Sequence, residues 1–568
     1  EAEKVVKAEG TAGFNKATLT SLVADTAVSV KNVNDQIDSV TDLTSNATKG
    51  VFSTLQVLTD QIKAAAVAEK AAPGSGSIEF TDAAKVATAT ANLAPTKVIL
   101  TTDSVSQVGT TLLLGTLNTT DSDQPNGVAF TYSIAETDGT DHSLFSINQS
   151  TGALSLQEIP DFKSPKTYTV IIQSKDNGGK VTGKMYEIVI LTNGDDDVTL
   201  SEVSELVLAM DGNDTINAGA GDDIVLGGSG NDTIDAGAGD DKIYGGAGDD
   251  TIIQSGSGTQ HYDGGEGTDT YKLNTAAFGN VDFDIKVDLT TGFSGLKDNP
   301  THALNDTLTN IENVDFSDVS WDLVLNGDAK ANVLKGGTGD DKIYGGIGDD
   351  VLAGGGGSDV VEAGAGNDVV IHMANTVAAD GGEGNDTFFV DIADESYAAI
   401  ISERNVSVEM DFVAETHRAF NATTGEYFGT GDDTVRNFEN FKLSGDISAK
   451  VFGDANANNI ITDNGDDLID GGLGADQIST GDGNDTVVIR QGDGGNTIAE
   501  ADMISDFSDG SDLIGLNNLN YSDLTIEQGS GDYVNDALIS KGTEYLVVIE
   551  DIDIADLTEA DFVAYDIV

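Results

Sequence analysis

From about Asn193 onward the chain repeats itself every nine residues, and that period constrains its fold more than any other property. Ala218–Leu226 (AGAGDDIVL), Gly227–Asp235 (GGSGNDTID), Ala236–Tyr244 (AGAGDDKIY) and Gly245–Ile253 (GGAGDDTII) follow one another directly. A second block holds Gly336–Tyr344, Gly345–Ala353, Gly354–Glu362 and Ala363–Ile371, and a third holds Asp463–Asp470, Gly471–Ser479 and Thr480–Val488. Single repeats stand at Gly264–Lys272 and Gly381–Phe389. The glycines of the first four positions permit positive φ and leave backbone carbonyls uncovered, so this half of the repeat can curl around a cation. The eighth position is aliphatic or aromatic, as in Ile216, Val225, Ile234, Ile243 and Ile252. A flexible Gly-rich linker has no reason to carry such a row, whereas a short strand with one inward side chain does.

The sixth position supplies a carboxylate, a hard oxygen ligand suited to calcium. The spacing assigns this role to Asp214, Asp223, Asp232, Asp241, Asp250, Asp269, Asp341, Asp350, Asp359, Asp368, Asp386, Asp467, Asp476 and Asp485. Two repeats make one turn of the coil. A cation is therefore expected between loops two repeats apart, as with Asp214 and Asp232 or Asp223 and Asp241. The wider composition agrees. Against 28 basic residues the chain carries 97 acidic ones, a net charge of -69, which repels nucleic acid and anionic lipid alike. A hydrophobic fraction of 39% is too high for simple disorder, so the carboxylates read as storage for a cation.

These repeats resemble those of the RTX, or hemolysin-type, secreted proteins. The resemblance implies a mainly β fold in which calcium-bound parallel β-roll blocks form a solenoid. Boundaries then fall at 193–275 (first block), 276–326 (strand-rich connector), 327–391 (second block), 392–452 (connector) and 453–497 (third block). The connectors repeat each other, Asp306–Ser317 (DTLTNIENVDFS) paralleling Asp433–Ser444 (DTVRNFENFKLS), and read as continuations of the solenoid rather than independent sites. Residues 498–568 resemble the region that closes RTX rolls, and the acidic then apolar end, Asp556–Val568, resembles a type I secretion signal. The type I secretion apparatus is thus an expected partner. The chain opens on Glu1 rather than Met, as a processed chain or a piece of a longer precursor would, and shows no N-terminal signal peptide.

Upstream the patterns change. Residues 1–72 contain no proline, and Val23, Val30, Val33, Ile37 and Val40 recur at helical spacing, as do Leu55, Leu58, Ile62 and Ala65. An α-helical region is expected there, followed by a linker over 73–93. Residues 94–192 alternate with period two and predict about seven short strands in a β-sandwich. That segment resembles a bacterial cadherin-like domain through DSVSQVGTTLLLGTLNTTDSD, FTYSI, LFSINQSTGALSL and YTVIIQSKDNGG. Asp121, Asp123 and Asp176 stand where the family places acidic ligands, but Gln107 and Lys163 replace its usual glutamates, so a plain spacer is the favoured reading.

No group with a catalytic pattern emerges. The H-E-x-x-H and G-x-S-x-G motifs are absent, and His142, His261, His302, His372 and His417 stand isolated, without ligand spacing. No stretch of about twenty apolar residues spans a membrane, and the missing cysteines are compatible with export. The expectation is a non-catalytic extracellular or cell-surface protein that binds several calcium ions and self-assembles as a surface-layer or filament subunit. The alternatives are an adhesin whose sandwich binds a cell-surface glycan or protein, and the RTX tail of a secreted enzyme.

Overall fold

The computed structural model describes residues 94–565, apart from 103, 109–110, 122–129, 279–283, 297–304, 373–376, 393–405, 422 and 425–432. The helical region and linker expected over 1–93 lie outside the described residues. Among the described residues the only helical segments are short 3-10 turns. The chain divides into two units, Glu1–Ile190 with Val203–Leu206, and Leu191–Glu202 with Val207–Val568.

The first unit is an antiparallel sandwich. One sheet pairs Lys97–Thr101 with Thr111–Thr120, which also pairs with Ala153–Leu156, and Phe145–Ile147 completes that edge. The other pairs Thr131–Ile134 with Lys166–Lys175 and the latter with Val181–Ile190. Alternating residues of both sheets fill the space between them, among them Val98, Leu100, Leu114, Leu154, Val170, Ile172 and Ile188. Tyr186 joins the sheets at its polar tip, where its hydroxyl donates to the Val98 carbonyl at 2.9 Å and accepts from the Leu100 amide at 3.0 Å. A buried phenol is placed this way because an unbonded hydroxyl would oppose burial.

In the second unit the nine-residue period becomes two parallel ladders. Thr215–Asn217, Thr233–Asp235, Thr251–Gln254 and Thr270–Leu273 stack in one, with Ile216 opposite Ile234 and Ile234 opposite Ile252. Ile224–Ser229, Lys242–Ala247 and His261–Glu266 stack in the other. Successive repeats alternate between ladders, so two repeats complete a turn, as the spacing requires. The eighth-position side chains all face inward, and Ile216, Val225, Ile234, Ile243, Ile252 and Tyr262 are essentially fully buried.

Both connectors continue the roll and add one device. Asp306–Thr309 and Asn313–Asp315 resume the two ladders after the first block, as Asp433–Arg436 and Asn440–Ser444 do after the second. Each connector also inserts an antiparallel hairpin into one ladder only. Ile285–Asp288 and Phe293–Leu296 lie between Asp306–Thr309 and Leu323–Asn326. Val406–Asp411 and Thr416–Asn421 lie between Asp433–Arg436 and Ala449–Phe452. The opposite ladder passes straight through.

The last turn is closed by a meander, Thr525–Gln528, Ala537–Lys541 and Glu544–Ile549, docked on Asp502–Ile504. Phe562–Ala564, inside the segment resembling a secretion signal, pairs with Leu513–Asn517 and ends the other ladder. This segment therefore covers an edge that would otherwise present unpaired amides and carbonyls.

Turns stack so closely that several glycines have no room for a side chain. Gly237 has φ +76°, and a Cβ there would lie 1.8 Å from the Gly219 carbonyl oxygen of the preceding turn. Gly139 in the sandwich has φ +85° with nothing within 4 Å. Both substitutions carry the backbone penalty of about 1 kcal/mol, but only Gly237→Ala also forces two turns apart. Gly237→Ala is expected to raise the calcium midpoint for β-structure several-fold by circular dichroism, with Gly139→Ala leaving it unchanged. Equal midpoints would show that the turns do not stack this tightly.

Candidate metal centre

All fourteen sixth-position aspartates are buried. They fall into two columns. In the first, the amide of each residue donates to Oδ1 of the aspartate one turn on: Asp214 to Asp232, Asp232 to Asp250 and Asp250 to Asp269, each at 2.8 Å. The same column runs from Asp350 through Asp368 to Asp386 at 2.7 and 2.8 Å, and Asp476 enters it from Asn458 at 2.8 Å. The second column links Asp223 to Asp241, Asp341 to Asp359 and Asp467 to Asp485 at 2.8, 2.9 and 2.8 Å.

One oxygen thus fixes the loop of the preceding turn. The other has a different fate. In Asp214, Asp232, Asp241, Asp250, Asp269, Asp350, Asp368, Asp386, Asp467, Asp476 and Asp485, Oδ2 is buried without a hydrogen-bond donor. A buried ionised oxygen in that state is costly unless a cation meets it. The surroundings offer more oxygen. A Cβ built on Gly227 would lie 2.4 Å from Asp232 Oδ2 and 2.3 Å from the Gly245 carbonyl oxygen. The corresponding point at Gly245 lies 2.2 Å from Asp250 Oδ2 and 2.6 Å from the Gly264 carbonyl. The first-position glycines Gly227, Gly245, Gly264, Gly336, Gly345 and Gly381 therefore open onto small cradles lined by a carboxylate and a carbonyl, an all-oxygen donor set that fits calcium. Asp341 departs from the donorless pattern, because its Oδ2 accepts the Gly337 amide at 2.9 Å.

Several column members escaped the spacing rule. Gln260 accepts the Asp241 amide at 2.7 Å, and Asp306 accepts the Gln260 amide at 2.9 Å. Glu312 and Glu439 extend the first column past each connector by accepting the amides of Asp269 at 3.0 Å and Asp386 at 2.8 Å. Asn332 and Asn458 occupy sixth positions in GDAKANVLK and GDANANNII. Asp502 and Asp512 terminate the columns by accepting from Asp476 and Asp485. A further ladder on the fifth position runs the opposite way, the Asn231 amide donating to Asn213 Oδ1 at 2.7 Å and Asp249 to Asn231 at 2.9 Å.

In the sandwich, Asp123 lies outside the described residues. Asp176 is buried at a turn, where its Oδ1 accepts the Lys180 amide at 2.8 Å. Two of the five histidines are not isolated. His372 Nε2 and His417 Nδ1 approach the same oxygen of Asp433, at 2.7 and 2.9 Å, and all three residues are buried. This corrects the reading that all five histidines stand isolated. Residues separated by 45 and 16 positions carry no local spacing signal, and only the inserted hairpin brings them together. Burial pushes His417 down to about 4. Burial works to raise Asp433, yet the two imidazoles hold it well below the usual carboxylate range.

The fold and these columns define a calcium-binding β-roll. Residues 204–234, 226–271, 326–361, 344–372 and 452–487 match the RTX calcium-binding nonapeptide repeat (4 copies). The chain carries RTX repeats and binds several calcium ions through them. No curated protein matches it. Among solved structures, the extracellular lipase LipA from Serratia marcescens is similar at 14% identity, over 44% of this chain and 40% of the lipase, with a TM-score of 0.17. That likeness is too slight to carry an argument about activity, and the chain spans well under two thirds of the lipase. Among the described residues no helix is long and apolar enough to cross a membrane.

Burial pushes Asp241, Asp250, Asp341, Asp467 and Asp476 up to about 7, and Asp232, Asp269, Asp350, Asp359, Asp386 and Asp485 up to about 6. The sign follows from linkage. With folded-state values above the unfolded ones, the metal-free roll gains stability from these groups at low pH and loses it as pH rises through about 6 to 7. Calcium needs the deprotonated form, so its binding shows the opposite dependence. In chelator, β-structure is expected to grow on acidification from about pH 8 to about pH 5. In calcium, apparent affinity is expected to fall over the same interval, with protons released on binding near neutrality. Calorimetry in buffers of different ionisation enthalpy measures that release; none at neutral pH would contradict the burial of these carboxyls.

Asp232 serves two turns at once, through the Asp214 amide of the turn before and, in the Gly227 cradle, beside the Gly245 carbonyl of the turn after. Asp232→Ala is therefore expected to weaken more than one ion by isothermal titration, while Asp176→Ala leaves total calcium unchanged. Equal losses in both would move the calcium sites toward the sandwich.

Proposed function

We propose that the protein is a secreted, non-catalytic structural protein that calcium folds outside the cell and that self-associates once folded, as a surface-layer or filament subunit. The fourteen sixth-position aspartates hold the metal in this reading. The observation that carries it is the pair of carboxylate columns with buried, donorless Oδ2 atoms. Without metal these columns juxtapose like charges, and glycine-rich loops are entropically costly to order. With metal, the same loops become a stiff ladder. Export unfolded, through the type I apparatus, followed by folding where calcium is abundant, suits this dependence.

Net charge gives the second half of the reading. At -69, copies of the chain repel one another. About ten divalent ions cancel about twenty of those charges and remove the ordering entropy that packing would otherwise cost. The sandwich then acts as a spacer, and residues 1–72 are an additional contact.

Circular dichroism is expected to show coil over the repeats in chelator and β-structure on adding calcium. Light scattering and electron microscopy across the same series are expected to show growth into lattices or filaments. A monodisperse monomer at millimolar calcium and high protein concentration would remove the structural-subunit reading and favour a monomeric adhesin.

A further inference from the structure

The two connectors are the same module in the same register, so their differences can be read residue by residue. Ser294 pairs with Asp306 in the first, and His417 pairs with Asp433 in the second. Gln254 stands opposite Leu273, and His372 opposite Val390. Tyr262 stands opposite Leu308, and Ala379 opposite Val435. The first module surrounds its aspartate with hydroxyl and amide groups: the Tyr262 hydroxyl meets Gln254, and the Tyr271 hydroxyl lies 3.2 Å from Ser294. The second replaces serine and glutamine by two imidazoles and shrinks the tyrosine to alanine, which makes room for them. Along its column, the sixth-position place between Asp359 and Asp433 falls to Val377.

We propose that His372, His417 and Asp433 form a second kind of metal site, specific for a zinc-like divalent transition metal rather than calcium. One candidate ligand atom from each of the three residues lies within 4.8 Å of the others. Two imidazole nitrogens and one carboxylate oxygen match zinc coordination, whereas calcium takes six to eight oxygens. A second observation also points to a ligand. His417 Nε2 is buried with no hydrogen-bond partner, so this ring holds coordinating capacity that no protein group uses. The site is buried, with the Phe388 ring centroid 5.5 Å from that of His372 and 5.4 Å from that of His417. Its three residues come from three places: His372 from one ladder, Asp433 from the other, and His417 from the inserted hairpin. A bound ion would tie the hairpin to both sheets at the place where the calcium column lacks a carboxylate.

The test uses the full chain folded in calcium, then loaded with Zn²⁺ or Co²⁺ alone as the probe and desalted into calcium buffer. About one zinc per chain is expected to remain, with cobalt giving the intense visible bands of a four-coordinate, nitrogen-bearing site. His417→Ser and His372→Gln install the first module's residues, so the roll should still fold by circular dichroism. Each is expected to weaken zinc retention tenfold or more with the calcium midpoint unchanged. No zinc retained by the wild type, or only the weak bands of six-coordinate cobalt on oxygen, would overturn the proposal, as would equal retention by both variants. Should a variant not fold, the wild-type cobalt spectrum decides alone.

Discussion

Every turn of the roll hangs on one divided carboxylate. At most sixth positions one oxygen accepts an amide from the turn before, and the other turns into a cradle of loop oxygens, Asp341 being an exception. Asp232 shows both halves, with Oδ1 at 2.8 Å from the Asp214 amide and Oδ2 buried without a donor beside the Gly245 carbonyl. The first half fixes the stacking distance between loops. The second creates a negative, desolvated oxygen that the polypeptide leaves unmet. Burial leaves that oxygen to be met by a cation or, at low pH, by a proton. The glycines belong to the same constraint, because a side chain at Gly237 would collide with the carbonyl one turn below.

Regular repeats were legible because one residue in nine meets a fixed geometric demand. The fourteen aspartates, the alternating ladders and the inward eighth position all follow from that period, and the structure places each of them in the columns. The departures come where the demand is met by other means. Gln260 accepts the Asp241 amide with a neutral amide oxygen, while Asn332 and Asn458 donate from Nδ2 to the Glu312 and Glu439 carbonyls, so a rule keyed to Asp passes over all three. Glu312 and Glu439 reach the column with a longer side chain after an insertion has broken the count. The parallel between DTLTNIENVDFS and DTVRNFENFKLS revealed that the connectors were related, but not that each opens one sheet to admit a hairpin. His372, His417 and Asp433 were beyond reach for that reason, since their meeting depends on register across inserted strands. The sandwich was legible from period-two alternation alone, while the helical spacing of residues 1–72 concerns a stretch outside the described residues.

The two connectors also show how one scaffold accommodates different interiors. Asp306 sits among tyrosine, serine and glutamine, and burial pushes it up to about 7. Asp433, at the same place, is held ionised by two imidazoles. The backbone pairing around the two is the same, so the difference lies wholly in side chains that touch the carboxyl. A ladder that fixes the backbone independently of such contacts leaves those positions open to change.

The hairpins enter one ladder and spare the other, and this asymmetry bears on how order propagates along the roll. In a stacked array each turn is stabilised mainly by its immediate neighbours, so folding spreads from turn to turn. On the uninterrupted side, Asn332 Nδ2 donates to the Glu312 carbonyl and Asn458 Nδ2 to the Glu439 carbonyl, carrying the contact past each connector at 2.8 Å. On the other side two foreign strands stand between one block and the next. The roll is therefore a train with couplings rather than a single rail: each block can close as a unit, while one continuous edge passes the signal that its neighbour has closed.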